Sequence, residues 1–373
     1  MSPGRGPRPD PRTDFDPDDD HRKKAPTPRP APAPAPRSAP GDPDFAALVA
    51  AVHAAGAPGE LFGTDQPARW YRRMVRILHP DTTTGDRATA TAAFARLAEL
   101  WAEHEGRGGA VLETRTRRYR MGPLLATGDL ANLFRLGHAD GDVVLKLPRS
   151  PGDSDLIERE ATALAQLARD GDPRHRAYVP RLVETFRHEE PGTGVRRTAN
   201  ILSDHSEFVS LARVAESYPD GVDPRDVAWM WRRLLVALGH AHRAGVLHGA
   251  VLPEHVLIHP REHGLVLVDW CYSVTTPDTP VPALVARHRD RYPPEVPDRR
   301  PASAGTDVHM ATSCMRDLMG TRAHPALLRF AAGCSLPDQR RRPQDAWRLL
   351  AEFDELLEDL YGPRTFRPFT LKE

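Results

Sequence analysis

The stretch VLHGAVLPEHVLIHPREHGLVLVD, Val246 to Asp269, constrains the fold more than any other part of the chain. An apolar stripe leads into it, with Val227, Trp231, Leu234, Leu235, Leu238 and His242 at helical spacing. Gly245 marks a short turn. Two brief apolar strands follow, Val256 to Ile258 and Leu265 to Val268, flanking a polar turn at His259 to Gly264. The second runs into a carboxylate, Asp269. A strand that ends in Asp, beside a loop carrying His and Glu, is one way to set a metal-binding carboxylate at the mouth of a cleft. The same residues also describe a plain hairpin whose last side chain is solvated. The local pattern leaves both readings open.

The 373 residues give room for about two domains, and 40 % are apolar, enough for packed cores. Lys plus Arg and Asp plus Glu are both 51, so no global charge points to nucleic acid or to a membrane surface. Cys271, Cys314 and Cys334 are far apart and form no Cys-x-x-Cys pair. That argues for a reducing setting and against a structural zinc site. No run reaches the roughly 20 apolar residues of a membrane helix, and the N-terminus has no apolar signal core. The expectation is a soluble cytoplasmic protein.

Residues 1–43 hold thirteen of the 38 prolines, and Phe15 is their only aromatic. Such a segment cannot bury enough surface to offset its ordering entropy, so a disordered tether is expected, with polyproline II over Ala31 to Pro36. Residues 44–108 then show three helical patterns. The first carries Phe45, Leu48, Val49 and Val52. The second, Gln66 to Leu78, lines Arg69, Arg72, Arg73 and Arg76 along one side and Trp70, Met74, Ile77 and Leu78 along the other. The third, Arg87 to Glu103, packs Phe94, Leu97, Ala98 and Trp101. Between the last two lies His79-Pro80-Asp81, where Pro80 disfavours helix at His79.

A His-Pro-Asp tripeptide between a basic helix and a Phe-bearing helix resembles the J domain of DnaJ-type co-chaperones. The resemblance implies that His79, Pro80 and Asp81 form a loop that stimulates the ATPase of a DnaK-type chaperone. It also implies that Arg69, Arg72, Arg73 and Arg76 steer an acidic surface of that partner. Gly59 to Thr64 match the family's opening segment only loosely, and the chain has no Gly/Phe-rich or Cys-rich module. An ordinary solvated helix face is the bland alternative for the arginines.

Residues 111–362 order strands, one helix, more strands and then mostly helices, an α+β pattern with a sheet-rich small lobe (111–203) and a helical large lobe (204–362). This region resembles the protein kinases. Where that family writes His-Arg-Asp-Leu-Lys-Pro-Glu-Asn, the chain writes His248-Gly249-Ala250-Val251-Leu252-Pro253-Glu254-His255. Asp269-Trp270-Cys271 stands for Asp-Phe-Gly. The phosphate-covering hairpin would be Met121 to Leu136, with only Gly128 of its glycines kept and Asp129 an unwelcome charge beside phosphate. Lys146 matches the strand lysine that holds nucleotide phosphates, Glu160 its helix partner, and Ser203 to Glu207, with Asp204, the adenine-facing hinge. Glu295, the buried helix-capping Asp307 and Arg342 match architectural positions.

The resemblance therefore implies a bilobal kinase-like fold behind a small all-α module, with its chemistry largely erased. Ala250 replaces the catalytic Asp, a positioned base of which contributes about 10²–10⁴ in rate. Leu252 replaces the loop lysine, and His255 the metal-binding Asn. Imidazole is a poor Mg²⁺ ligand. Lys146, Glu160 and the metal ligand Asp269 remain for ATP with Mg²⁺. The expected function is a pseudokinase–J-domain adaptor, with a DnaK-type chaperone and an unknown protein client as partners. The rival is a noncanonical Ser/Thr kinase or nucleotidyl transferase in which Glu254, His248 or Asp204 substitutes as base. A third reading is a scaffold whose cleft is plugged by Trp270 or Leu252.

Overall fold

The computed structural model describes residues 44–62, 66–79, 86–106, 111–190 and 194–372. The proline-rich tail, and Pro80 and Asp81 of the tripeptide, lie outside the described residues.

Among the described residues the helical module has four helices rather than three: α1 (Phe45–Ala54), α2 (Pro58–Phe62), α3 (Pro67–Leu78) and α4 (Arg87–Gly106). The extra turn, α2, carries Phe62 into a core with Leu48, Val52, Met74, Leu78, Leu97 and Leu100. Pro67 opens α3, where its fixed φ suits the first helical position. The helix stops at Leu78 because His79, preceding a proline, is extended at ψ 126°. Asp86 starts α4 by accepting the Thr89 N–H at 2.8 Å. One apolar assignment is corrected: Trp70 is 46 % exposed and lies beneath the Arg73 guanidinium. Its neighbour Tyr71, about 100° round the helix, stacks on Trp101 at 4.4 Å instead.

The rest is a mixed α+β, protein-kinase-like fold. Six antiparallel strands make the first sheet: β1 (Val111–Glu113), β2 (Arg118–Thr127), β3 (Ala131–Gly137), β4 (Val143–Pro148), β5 (Leu182–Glu189) and β6 (Arg196–Ser203), in the order β1-β2-β3-β4-β6-β5. Between β4 and β5 runs α5 (Ser154–Asp170). Strand alternation sorts β4 into two faces: Val143 and Leu145 join the sheet's own core, whereas Val144 and Lys146 face a cleft.

After β6 the chain forms β7 (Val209–Ser210), α6 (Leu211–Ser217) and α7 (Pro224–Arg243), then the hairpin β8 (Val256–His259) and β9 (Gly264–Leu267). β7, β8 and β9 make a small second sheet. The chain ends in α8 (Ala304–Met319), α9 (Pro325–Cys334) and α10 (Ala346–Tyr361). The apolar face of α7, including Trp231, Leu234, Leu235 and Leu238, is fully buried in the main core. Packing does not end at 362: Phe369 is buried in the same core, and Tyr218 donates its hydroxyl to the Thr370 carbonyl. Among the described residues no helix is long and apolar enough to cross a membrane, and all three cysteines are buried and unpaired.

Candidate functional site

The cleft is a cavity of about 630 Å³, lined by the β2–β3 hairpin, by Val144 and Lys146 of β4, by Glu160, and by Ser203 to Ser206. Its floor is made by His255, Leu257, Val268 and Asp269. At its closed end the Lys146 ammonium lies 2.9 Å from Glu160 Oε1 and 2.8 Å from Asp269 Oδ1. Burial pushes Lys146 down, but the Asp269 and Glu160 carboxylates outweigh it, holding the ammonium well above the usual lysine range. Asp269 is held below the carboxylate range because Lys146 and His255 overcome its own desolvation. Glu160, Asp269 and Cys271 could together suggest a metal-binding triad, but Lys146 already satisfies the charge of that cluster.

Glu160 is fully buried and fully used. Its Oε1 also accepts the Trp270 backbone N–H at 3.2 Å, and its Oε2 accepts Asn200 Nδ2 at 3.0 Å. Asn200 in turn donates to the Ile157 carbonyl and accepts from Thr185 Oγ1, both at 2.9 Å. Sequence reasoning missed this relay. Its available signal was one amide among the apolar residues of β6, a polar side chain that a buried strand keeps only with partners.

Asp269 is not the end of its strand. It stands two residues beyond β9, in a left-handed conformation at φ 64° that costs a non-glycine residue on the order of 1–3 kcal/mol. Lys146 and His255 hold it there. Trp270 does not plug the cleft: it is fully buried and donates Nε1–H to the Leu267 carbonyl. Leu252 is likewise inside the core. Neither residue plugs the cleft, so the expected sign of a scaffold with an unused cleft is not met.

The loop before β8 is a structural object. Asp307 accepts the backbone N–H groups of His248 and Gly249, each at 2.8 Å, and the His242 ring at 2.9 Å. It therefore caps this loop and not its own helix, whose cap is Ser303. His248 uses both ring nitrogens, on the Val268 carbonyl and the Ala250 N–H, and burial pushes it down to about 4. It is a neutral strut, and its assignment as a substitute base is corrected. Gly249 has φ 76°, and a Cβ there would run into the Tyr272 carbonyl. Ala250 is fully buried.

Gly128 closes the β2–β3 hairpin by donating to the Ala131 carbonyl at 2.9 Å. Asp129 has a use that the sequence did not suggest: it accepts from Tyr272 Oη at 2.9 Å and pairs with Arg287 at 3.3 Å. Arg287 also approaches Glu254 at 3.5 Å, and Glu254 accepts from the His288 ring at 2.8 Å. Asp204 lines the hinge and accepts from the Ser206 N–H and hydroxyl. Glu295 and Arg342 form a fully buried pair at 2.6 Å, well away from the cavity lining. In the helical module, Arg69, Arg72 and Arg76 are exposed, Arg73 is half-buried, and the His79 ring meets Phe94 edge-on at 5.4 Å.

The cleft fits a nucleotide better than it fits Mg²⁺. Lys146 can take phosphate oxygens, and Val144, Leu202 and Leu257 offer apolar walls to a flat base. His255 Nε2 lies 3.3 Å from Asp269 Oδ2, where a metal-binding amide would be expected from the resemblance, and an imidazole does not suit the all-oxygen shell that Mg²⁺ prefers.

The architecture is that of a protein-kinase-like domain. No protein-family model matches the chain. A 45-residue segment is 40 % identical to casein kinase II subunit alpha' of Saccharomyces cerevisiae, spanning 12 % of this chain and 13 % of that protein. Among solved structures, the BubR1 kinase domain is similar with a TM-score of 0.51. That likeness covers 67 % of this chain and 83 % of that domain at 15 % identity, a likeness of fold.

Proposed function

We propose that the kinase-like domain is a nucleotide-binding module impaired in phosphoryl transfer, and that the helical module is a J domain recruiting a DnaK-type chaperone to whatever client the larger domain holds. One observation carries the first half. Lys146, Glu160 and Asp269 line an open cavity, while Ala250 and Leu252, where a base and a counter-charge would be needed, are buried in the core. Phosphoryl transfer works by positioning and charge stabilisation, and this cleft keeps the first without the second. For the second half, the support is the exposed guanidiniums of α3 and the extended turn at His79 that follows them.

The first test is thermal stability with ATP, with and without a divalent ion, for wild type and Lys146→Ala. A ligand that binds only the folded chain raises its stability with concentration. A rise that vanishes in Lys146→Ala supports the nucleotide module, and no rise at saturating ATP refutes it. Transfer of radiolabelled phosphate that depends on Asp269 would instead establish the active-enzyme reading. The chaperone half is read separately, as stimulation of a DnaK-type ATPase by the full chain. Stimulation lost in His79→Gln supports it, and none in wild type refutes it.

A further inference from the structure

We infer that a second cavity, on the large lobe, is a docking site for an acidic peptide segment that carries an aromatic side chain. The cavity holds about 620 Å³ between α7, α10 and residues 362–367, a volume in the range of ligand-holding pockets. It shares no lining residue with the cleft. Its charge is one-sided. Arg225, Arg232, Arg364 and Arg367 line it, against Asp354 and Glu358. Two of these guanidiniums are already matched: Arg232 grips both oxygens of Asp354, and Arg367 lies 3.6 Å from Asp223 and from Asp226. The other two have no carboxylate partner among the described residues. Arg225 covers the Tyr361 ring, 5.1 Å from its centroid. Arg364 is crowded by its own kind: desolvation and the guanidiniums of Arg232 and Arg233 hold it below the ordinary arginine range. An incoming carboxylate relieves that crowding, and its two oxygens match the guanidinium fork.

The rings and the backbone say what kind of anion fits. Trp229 stacks on His263 at 3.9 Å, and His263 lies against Phe366 at 4.5 Å. Trp229 and His263 are buried, but Phe366, the outer member of the stack, is 65 % exposed. Aromatic rings beside unmatched arginines are the residues that dominate binding energy where proteins meet. An aromatic side chain of the partner would cover Phe366, while its neighbouring carboxylates reach Arg225 and Arg364. Residues 364–366 belong to no helix or strand, and among the described residues none of them makes a backbone–backbone hydrogen bond. Their N–H and C=O groups are open to an extended segment, which favours a peptide over a small anion. Glu358 is the carboxylate of the lining left to oppose such a ligand.

The test uses no nucleotide, so failure of the cleft to bind ATP does not bear on it. Full-length chain is titrated into a short fluorescein-labelled peptide of glutamates around one phenylalanine, and binding is read as anisotropy. Wild type should bind it at least about tenfold more tightly than a version with glutamine for each glutamate, and the affinity should fall as salt rises. Arg225→Glu combined with Arg364→Glu should weaken binding by about tenfold or more. Both side chains are exposed, so the melting temperature should be kept. Phe366→Ala should weaken binding of this peptide but not of a version with alanine for phenylalanine. Glu358→Gln should tighten binding, a gain that damage to the fold does not produce. No binding by wild type, equal binding of the glutamine version, or an affinity that survives the double reversal overturns the inference. So does binding lost instead in Arg69→Glu combined with Arg72→Glu, which would place the peptide on α3.

Discussion

Arg287 and Asp129 form an ion pair at 3.3 Å that ties the tip of the β2–β3 hairpin to the segment preceding the large lobe's C-terminal helices. Tyr272, two residues after Trp270, reaches the same carboxylate from below at 2.9 Å. The hairpin that would cover phosphates is therefore anchored by its own acidic residue. Arg287 is 48 % exposed, so the pair itself should contribute under about 1 kcal/mol to global stability. Its effect should be local. Arg287→Ala combined with Tyr272→Phe is expected to leave the melting temperature nearly unchanged and to speed amide exchange in residues 125–133. Unchanged exchange there would show that the anchor does not restrain the hairpin.

Arg342 and Glu295 are fully buried, and Arg342 also donates to the Leu336 and Pro337 carbonyls. Removing one partner of such a pair strands a charge in the core. Arg342→Ala is expected to cost about 3–5 kcal/mol, read as a shift in the urea midpoint. Glu295→Gln, which keeps an acceptor for Thr306, should cost less. A loss below about 1 kcal/mol for Arg342→Ala would contradict the structural role.

Asn200 joins β6 to the Lys146–Glu160 pair through one amide. Asn200→Leu keeps the volume but leaves Glu160 Oε2 and Thr185 without their partner. An unsatisfied buried acceptor costs about 1–3 kcal/mol, more when charged, and a nucleotide-induced stabilisation should shrink with it. Retention of full stability in Asn200→Leu would count against the relay.

Stability should fall as the solution becomes acidic, beginning well above the carboxylate range. Burial holds His248 at about 4 in the fold, against an ordinary 6.5. Between those values the unfolded chain binds a proton that the folded chain refuses. Stability from this residue is therefore complete above pH 6.5 and declines as pH drops towards 4, by up to about 3 kcal/mol. His309, also held at about 4, acts in the same direction. Asp269, Asp307 and Glu295, held low, add their losses only below the ordinary carboxylate values. Urea midpoints between pH 7.5 and 4.5 should show the slope, and His248→Gln should flatten it. A wild-type midpoint constant over that range would refute the assignment.

Much of the frame was legible because it rests on short-range order. Lys146 and Glu160 could be paired because the resemblance to the protein kinases places a lysine on this strand and its partner on the following helix, and the structure joins them at 2.9 Å. Tyr71 and Trp70 were harder, because neighbouring aromatics on a helix differ by only one step of rotation, and packing against Trp101 decides between them. Arg287 was not legible at all. It lies in a short irregular turn with no periodicity, and its partners, Asp129 and Glu254, are brought to it by the tertiary fold alone. The role of Gly249 was half visible: the missing arginine could be read from the sequence, but the positive φ that excludes any side chain could not.

That φ has a consequence for how such a chain can change. Asp307 clamps the loop backbone, Gly249 has no room for a Cβ, and Leu252 is enclosed by the core. Putting the arginine back forces the backbone, and putting the lysine back buries a charge. Each step towards transfer chemistry thus lowers stability before any rate is gained. Mutational paths that restore those two residues cross a valley of unfolded intermediates, whereas paths that vary the lining of the cleft remain on level ground.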